Sequence, residues 1–209
     1  MSNKWKLTVL IIVILIVLYA VVGVFMSKVE QPKYEVISSQ GDIEIRRYQP
    51  MIIAEVAIDG KRKEAIKSGF KILAGFIFGD NKSRENISMT APVRQQSNEK
   101  ISMTSPVRQQ EVLGRWKISF VMPSQYGIST MPIPDHKYIS IEKIESKKYA
   151  VIKFSGMNSD QNIHFYESKI KNYLSENRMQ TVLSPIYAFY NPPWTLPFLR
   201  RNEVMIEIN

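Results

Sequence analysis

The chain contains no cysteine in 209 residues. That excludes disulfides, iron–sulfur clusters, cysteine-ligated zinc, covalent c-type haem and thiol nucleophiles. An acylated-cysteine lipid anchor is excluded as well. Histidine is nearly as scarce: His136 and His164 are the only two, too few for a multi-histidine metal site. Despite a net charge of +9, no run of five or six like charges occurs. No nucleic-acid motif is legible either, so nucleic acid is not an expected partner. G-x-G-x-x-G, Walker A and G-x-S-x-G sequences are all missing, which removes the dinucleotide, P-loop and hydrolase-elbow readings. Scattered glutamates single out no glycosidase pair. What remains is binding, with no enzyme activity expected.

The chain does have one long apolar run. Leu7–Met26 holds twenty residues without a charge. At about 1.5 Å per residue, such a helix reaches roughly 30 Å, the thickness of a bilayer core. Lys4, Trp5 and Lys6 precede it and Lys28 follows, as at a membrane interface. A cleaved signal peptide is the competing reading, but the run exceeds the usual apolar core of one and lacks an A-x-A site. The expected organisation is a short tail (1–6), a transmembrane anchor or signal peptide (7–26), a linker (27–33) and one domain (34–209). The lysine bias predicts a single-pass protein with its N-terminus inside and its C-terminal domain exported. Cleavage would instead make it secreted or periplasmic. Lys4, Lys6, Lys28 and Lys33 against Glu30 give residues 1–33 a charge of +3, leaving +6 on the domain.

Within 34–209 the pattern alternates between two periods. Ile43 and Ile45 alternate with Glu44 and Arg46, and Ile52, Ala54, Val56 and Ile58 line one face of a further strand. From Gly60 to Phe78, Ile66, Phe70, Leu73 and Ile77 form a helical stripe, with Gly79 placed to end it. Strands follow at 116–122, at 138–144 and at 149–154, the last two read as a pair. Ser159 can cap a second helix from Asp160 to about Asn177, with Ile163, Tyr166, Ile170, Tyr173 and Leu174 as its stripe. Strands at 185–190 and 204–208 close the chain. This predicts an α+β domain of two similar halves, with helices on largely antiparallel sheet. A ten-residue segment also recurs: Ile87–Gln96 returns as Ile101–Gln110 with one substitution. Two copies are too few for a solenoid, and a hairpin of extended segments is expected instead.

Several motifs occur in order: Gly79-Asp-Asn81, Ile-Ser-Met-Thr-Ala-Pro-Val at 87–93, Ser119-Phe-Val-Met-Pro123 and Phe154-Ser-Gly156. The last is Asn191-Pro-Pro-Trp-Thr-Leu-Pro-Phe-Leu-Arg-Arg-Asn-Glu-Val204. The series resembles the SOUL haem-binding protein family over residues 34–209. That resemblance implies a distorted β-barrel of two pseudo-symmetric halves, each with one long helix. It also implies non-covalent binding of haem or a related tetrapyrrole, for carriage, buffering or sensing. Other hydrophobic small molecules, or a protein partner at the membrane surface, are the alternative ligands.

Haem needs an apolar slot, cations for its propionates and optionally an axial ligand. The first helix offers Ile66, Phe70, Leu73 and Ile77 beside Lys63, Lys67 and Lys71. Trp194 is a candidate stacking wall, and His136 or His164 a possible axial ligand. No metal beyond a haem iron is expected. Met89, Thr90 and Pro92, with their counterparts Met103, Thr104 and Pro106, read as structural, the methionines as gap fillers.

Overall fold

In the computed structural model, residues 9–10, 29–84 and 98–209 are described. The predicted anchor therefore lies outside them apart from Val9 and Leu10, as does the first repeat copy. No helix among the described residues is long and apolar enough to cross a membrane.

The domain opens with three strands, β1 (Tyr34–Gln40), β2 (Ile43–Tyr48) and β3 (Met51–Asp59). Gly41, at φ 59, makes the first turn. Helix α1 (Arg62–Phe78) follows and stops at Gly79, whose φ of 128 a side chain would resist. Its buried residues Ala65, Gly69, Leu73, Phe76 and Ile77 face the sheet. Next come β4 (Asn81–Lys82), β5 (Val107–Val112), β6 (Arg115–Val121), β7 (Ile133–Pro134), β8 (Ser140–Ile144) and β9 (Lys147–Phe154). Helix α2 (Asp160–Glu176) begins at Ser159, whose Oγ accepts from the Asn162 amide. The chain ends with β10 (Ile186–Phe189) and β11 (Asn202–Ile208).

Nine strands form one antiparallel sheet in the order β1-β2-β9-β11-β10-β5-β6-β3-β8, while β4 and β7 pair separately. The two halves repeat one topology. β3, α1, β5 and β6 give a sheet order of β3-β6-β5, and β9, α2, β10 and β11 give β9-β11-β10. β5 and β10 meet at the seam. Arg62 Nη1, at the start of α1, bonds Asp160 at the start of α2 (2.6 Å), and Nη2 bonds Gln109 of β5 (2.9 Å).

The expected pairing of β8 with β9 is not what forms. β8 pairs β3, and β9 pairs β2 and β11. The two strands are six places apart in the sheet, roughly 29 Å if it were flat. Only Glu145 and Ser146 join them, a reach of about 11 Å. The sheet must curl, and Gln49–Pro50 between β2 and β3 imposes the same condition beside it, at the same end of the strands. Among the described residues the result is a half-barrel with two free edges, β1 and β8, rather than a closed barrel. β1 accordingly remains exposed along most of its length.

Both helices cover the outer face. There Ala54, Val56, Trp116, Ile118, Phe120, Ala150, Ile152, Val204 and Ile206 bury against Leu73, Phe76, Ile163, Ile170 and Leu174. Helix α1 lies very close at Gly69, where an added Cβ would stand 2.7 Å from Ile118 Cδ1. The inner face has its own smaller cluster of Tyr48, Tyr149, Val151, Ile186, Ala188, Tyr190 and Met205.

The second repeat copy builds β5, both edges of which are taken by β6 and β10. A hairpin of 107–112 with the first copy is therefore closed off. Residues 30–33, expected as linker, are also tied to the domain. The Glu30 carbonyl accepts from Ser105 N (2.9 Å), and Lys33 O accepts from Gln49 N (3.0 Å).

Candidate functional site

The family-like motifs build scaffolding. Asn81 is fully buried, and its side-chain amide donates to Phe76 O (2.7 Å) and Glu99 O (2.8 Å) and accepts from Glu99 N (3.0 Å). It thereby closes the end of α1 and fixes the strand-like segment leading to Ile101. In the C-terminal motif, Arg200 donates to the carbonyls of Thr195 (2.7 Å) and Pro193 (2.5 Å), holding the proline loop. Glu203, with no exposed surface, accepts from Arg46 Nη1 (2.9 Å), Arg201 Nη2 (2.7 Å) and Tyr190 Oη (2.7 Å). Arg46 also lies over the Tyr34 ring and Arg201 over the Tyr190 ring. Burial opposes the charge on Arg46, but Glu203 and Tyr48 outweigh it and raise its pKa. Burial, then Glu203, push the Tyr48 phenol up to about 12. This network is filled and closed, which suits a lock and leaves no room for a ligand.

The α1 candidates divide between two environments. Leu73 and Ile77 lie in the packed core and cannot meet a ligand outside it. Lys63, Lys67 and Lys71 are exposed. Ile66 is half-buried, and Phe70 keeps 40% of its surface while meeting Phe120 edge-on at 5.4 Å. The stripe thus serves mainly as the sheet-facing side of an amphipathic helix, and Phe70 with its lysine border is the accessible remainder.

The histidines stand apart. His164 is exposed on α2, with Nδ1 3.5 Å from Glu167. His136 sits in the loop after β7, its ring 5.5 Å from that of Tyr138. Trp194 is half exposed in the proline loop. None of the three lines either cavity described below. Met103, read as a gap filler, is instead 45% exposed, because Thr104 and Ser105 take the inward positions. The Thr104 hydroxyl donates to Val121 O. Its counterparts Met89, Thr90 and Pro92 lie outside the described residues.

A cavity of about 440 Å³ opens where residues 30–33, the β2–β3 link, the end of β6 and the 123–128 loop converge. That falls within the range of roughly 300–1,000 Å³ usual for small-molecule sites. Met51, Ile52, Val121, Met122, Tyr126 and Ile128 give it an apolar wall, with Lys33 and Lys143 among the lining residues. The Tyr126 hydroxyl donates to Glu99 (2.5 Å), and Glu30 fixes the loop by accepting from Ser124 N (3.0 Å). Apart from Ile52 in its strand pattern and Val121-Met122-Pro123, these residues carry no periodic or motif signal. They come from five separate places in the chain, so only the fold assembles them.

This lining can be tested against haem. It offers apolar surface for a macrocycle and two lysines for propionates, but no imidazole. The residues therefore fit a non-covalently held tetrapyrrole, with any axial ligand limited to tyrosine or methionine. Among the described residues, no group of three or more histidines and carboxylates is placed to hold a metal ion.

Comparison with known proteins agrees with this architecture. A family model described as SOUL heme-binding protein matches residues 29–207. Solved structures with a similar backbone include the C-terminal domain of EcmrR, with a TM-score of 0.56 at 11% identity, covering 84% of this chain and 98% of that one. A protein from Listeria innocua described as a hydrolase aligns with a TM-score of 0.51 at 9% identity, covering 83% and 94%. At such identities the likeness concerns the fold alone. No curated protein sequence matches the chain.

Proposed function

The chain belongs to the SOUL haem-binding family, and from that premise we propose that it binds haem or a related tetrapyrrole non-covalently in the cavity at the mouth of the half-barrel. The observation that carries the placement is the joining of apolar walls and lysines in one cavity of about 440 Å³. Met51, Val121, Met122 and Ile128 would hold the macrocycle, and Lys33 and Lys143 would meet the propionates. Bound haem supplies an iron centre; the protein's part is to bind it and exclude water. The function is binding without catalysis. The apolar run at 7–26 supports attachment of the domain to a membrane, with the domain exported.

A second placement has its own support, since Phe70 lies exposed beside Lys67 and Lys71 on α1. Haemin titration of the full-length protein separates the two, followed by the Soret band and tryptophan quenching. Ile128→Trp and Lys143→Glu should each weaken binding about tenfold, or 1.4 kcal/mol. Phe70→Ala and Lys67→Glu should leave it unchanged. The reverse pattern would move the site to α1. No saturable Soret change would overturn the haem reading itself.

A further inference from the structure

The inner face of the half-barrel holds a second cavity of about 190 Å³ on the seam between the halves. It shares no lining residue with the first. Its walls carry two ion pairs. Glu55 of β3 meets Lys117 of β6 at 2.6 Å, and Glu207 of β11 meets Lys147 of β9 at 2.8 Å. Each lysine is thus neutralised by its own carboxylate.

Arg108, on seam strand β5, differs from these. Its Nη1 is buried without a hydrogen-bond partner. A guanidinium cannot shed its proton to escape that cost, and a buried donor left unmade is expensive. The Tyr149 phenol stands beside the same guanidinium in the wall. Ile53, Ile144 and Ile186 supply apolar surface around these groups. The space equals about six water molecules of liquid volume.

We propose that this cavity binds a small monocarboxylate with a short apolar body, its carboxylate on Arg108 and its body against the three isoleucines. A guanidinium fork matches the two oxygens of a carboxylate. A doubly charged phosphate would require a second free cation, and both neighbouring lysines are engaged. An ammonium ligand would require an inward carboxylate without a partner. Glu55 and Glu207 are paired, and Glu142, on edge strand β8, lines the cavity only from its exposed rim.

The test is calorimetric titration of the full-length protein with benzoate and with benzylammonium, a cation of similar shape. Benzoate should bind saturably and benzylammonium should not. Arg108→Gln should weaken benzoate at least tenfold, and Tyr149→Phe should weaken it severalfold. Arg108→Lys keeps the charge and loses the fork, so it serves if Arg108→Gln does not fold; it too should weaken binding. Benzylammonium binding as tightly as benzoate, full affinity in these arginine variants, or no saturable benzoate heat would each overturn the proposal. Haemin titration with benzoate present should be unchanged, which keeps the outcomes at the two cavities separate.

Discussion

Glu203 gathers two arginines and a tyrosine around one fully buried carboxylate. Removing one charge from such a cluster leaves the others buried and unpaired, at a cost of about 3–5 kcal/mol. Glu203→Gln should therefore lower the stability measured by urea unfolding by about that amount, with Arg46→Met costing less if the space repacks. Glu167 provides a titrating counterpart. Burial works to raise its carboxyl, but bonds from Lys171 and Tyr187 and the nearby positive charge hold it below the ordinary value. Its stabilisation is thus full above the ordinary carboxylate range and disappears as pH falls through the lowered value. Glu167→Gln should flatten the acid limb of a plot of unfolding midpoint against pH. The Arg201–Glu203 pairing was legible in the sequence because both residues stand in one motif. Arg46 was not, since beside Ile43 and Ile45 it reads as the solvent side of a half-buried strand. The curl of the sheet gives that strand a second interior.

At the scale of elements, the helices were easier to read than the strands' partners. Ser159 and Gly79 mark helix ends through local chemistry, a side-chain cap and a positive φ, which need no knowledge of the rest of the fold. β8 and β9 show the opposite case. Nothing local distinguishes a two-residue hairpin turn from a two-residue crossing between distant strands. Site residues suffered similarly: Leu73 and Ile77 follow the right period, but periodicity does not say whether the apolar side meets a sheet or a ligand. The close seating of α1 gives a prediction of its own. Gly69→Val would push branched methyls into Ile118, whose Cβ is already 3.1 Å from the position of an added Cβ. Overpacking of that kind costs roughly 1–3 kcal/mol, and urea unfolding should show it. Lys67→Ala, on the exposed side of the same helix, should change stability little.

For the whole molecule, the two-half plan could be read from the order of periods, and the family from its motifs. The cavity at the mouth could not, because five separate stretches meet there only after the sheet curls. Residues 30–33 form part of its wall and follow Met26 by only a few positions in the sequence. We expect the full-length protein to sediment with membranes and to resist carbonate extraction, whereas a chain starting at residue 29 should remain in the supernatant. Recovery of the full-length chain in the soluble fraction would exclude the anchor.

The exchange of β2 and β8 between the halves has a consequence for how the chain can be divided. Each half completes its sheet with a strand lent by the other, so neither is a detachable unit. A fragment ending after β6 would carry β2 with no β9 to receive it and β3 with no β8 beside it. Its natural remedy is a second copy of itself. Two such fragments, each offering its β2 to the other's β3 and joining their β5 strands, would rebuild the two-fold plan as a symmetric dimer, returning the molecule to the arrangement of two equal partners that its single chain imitates.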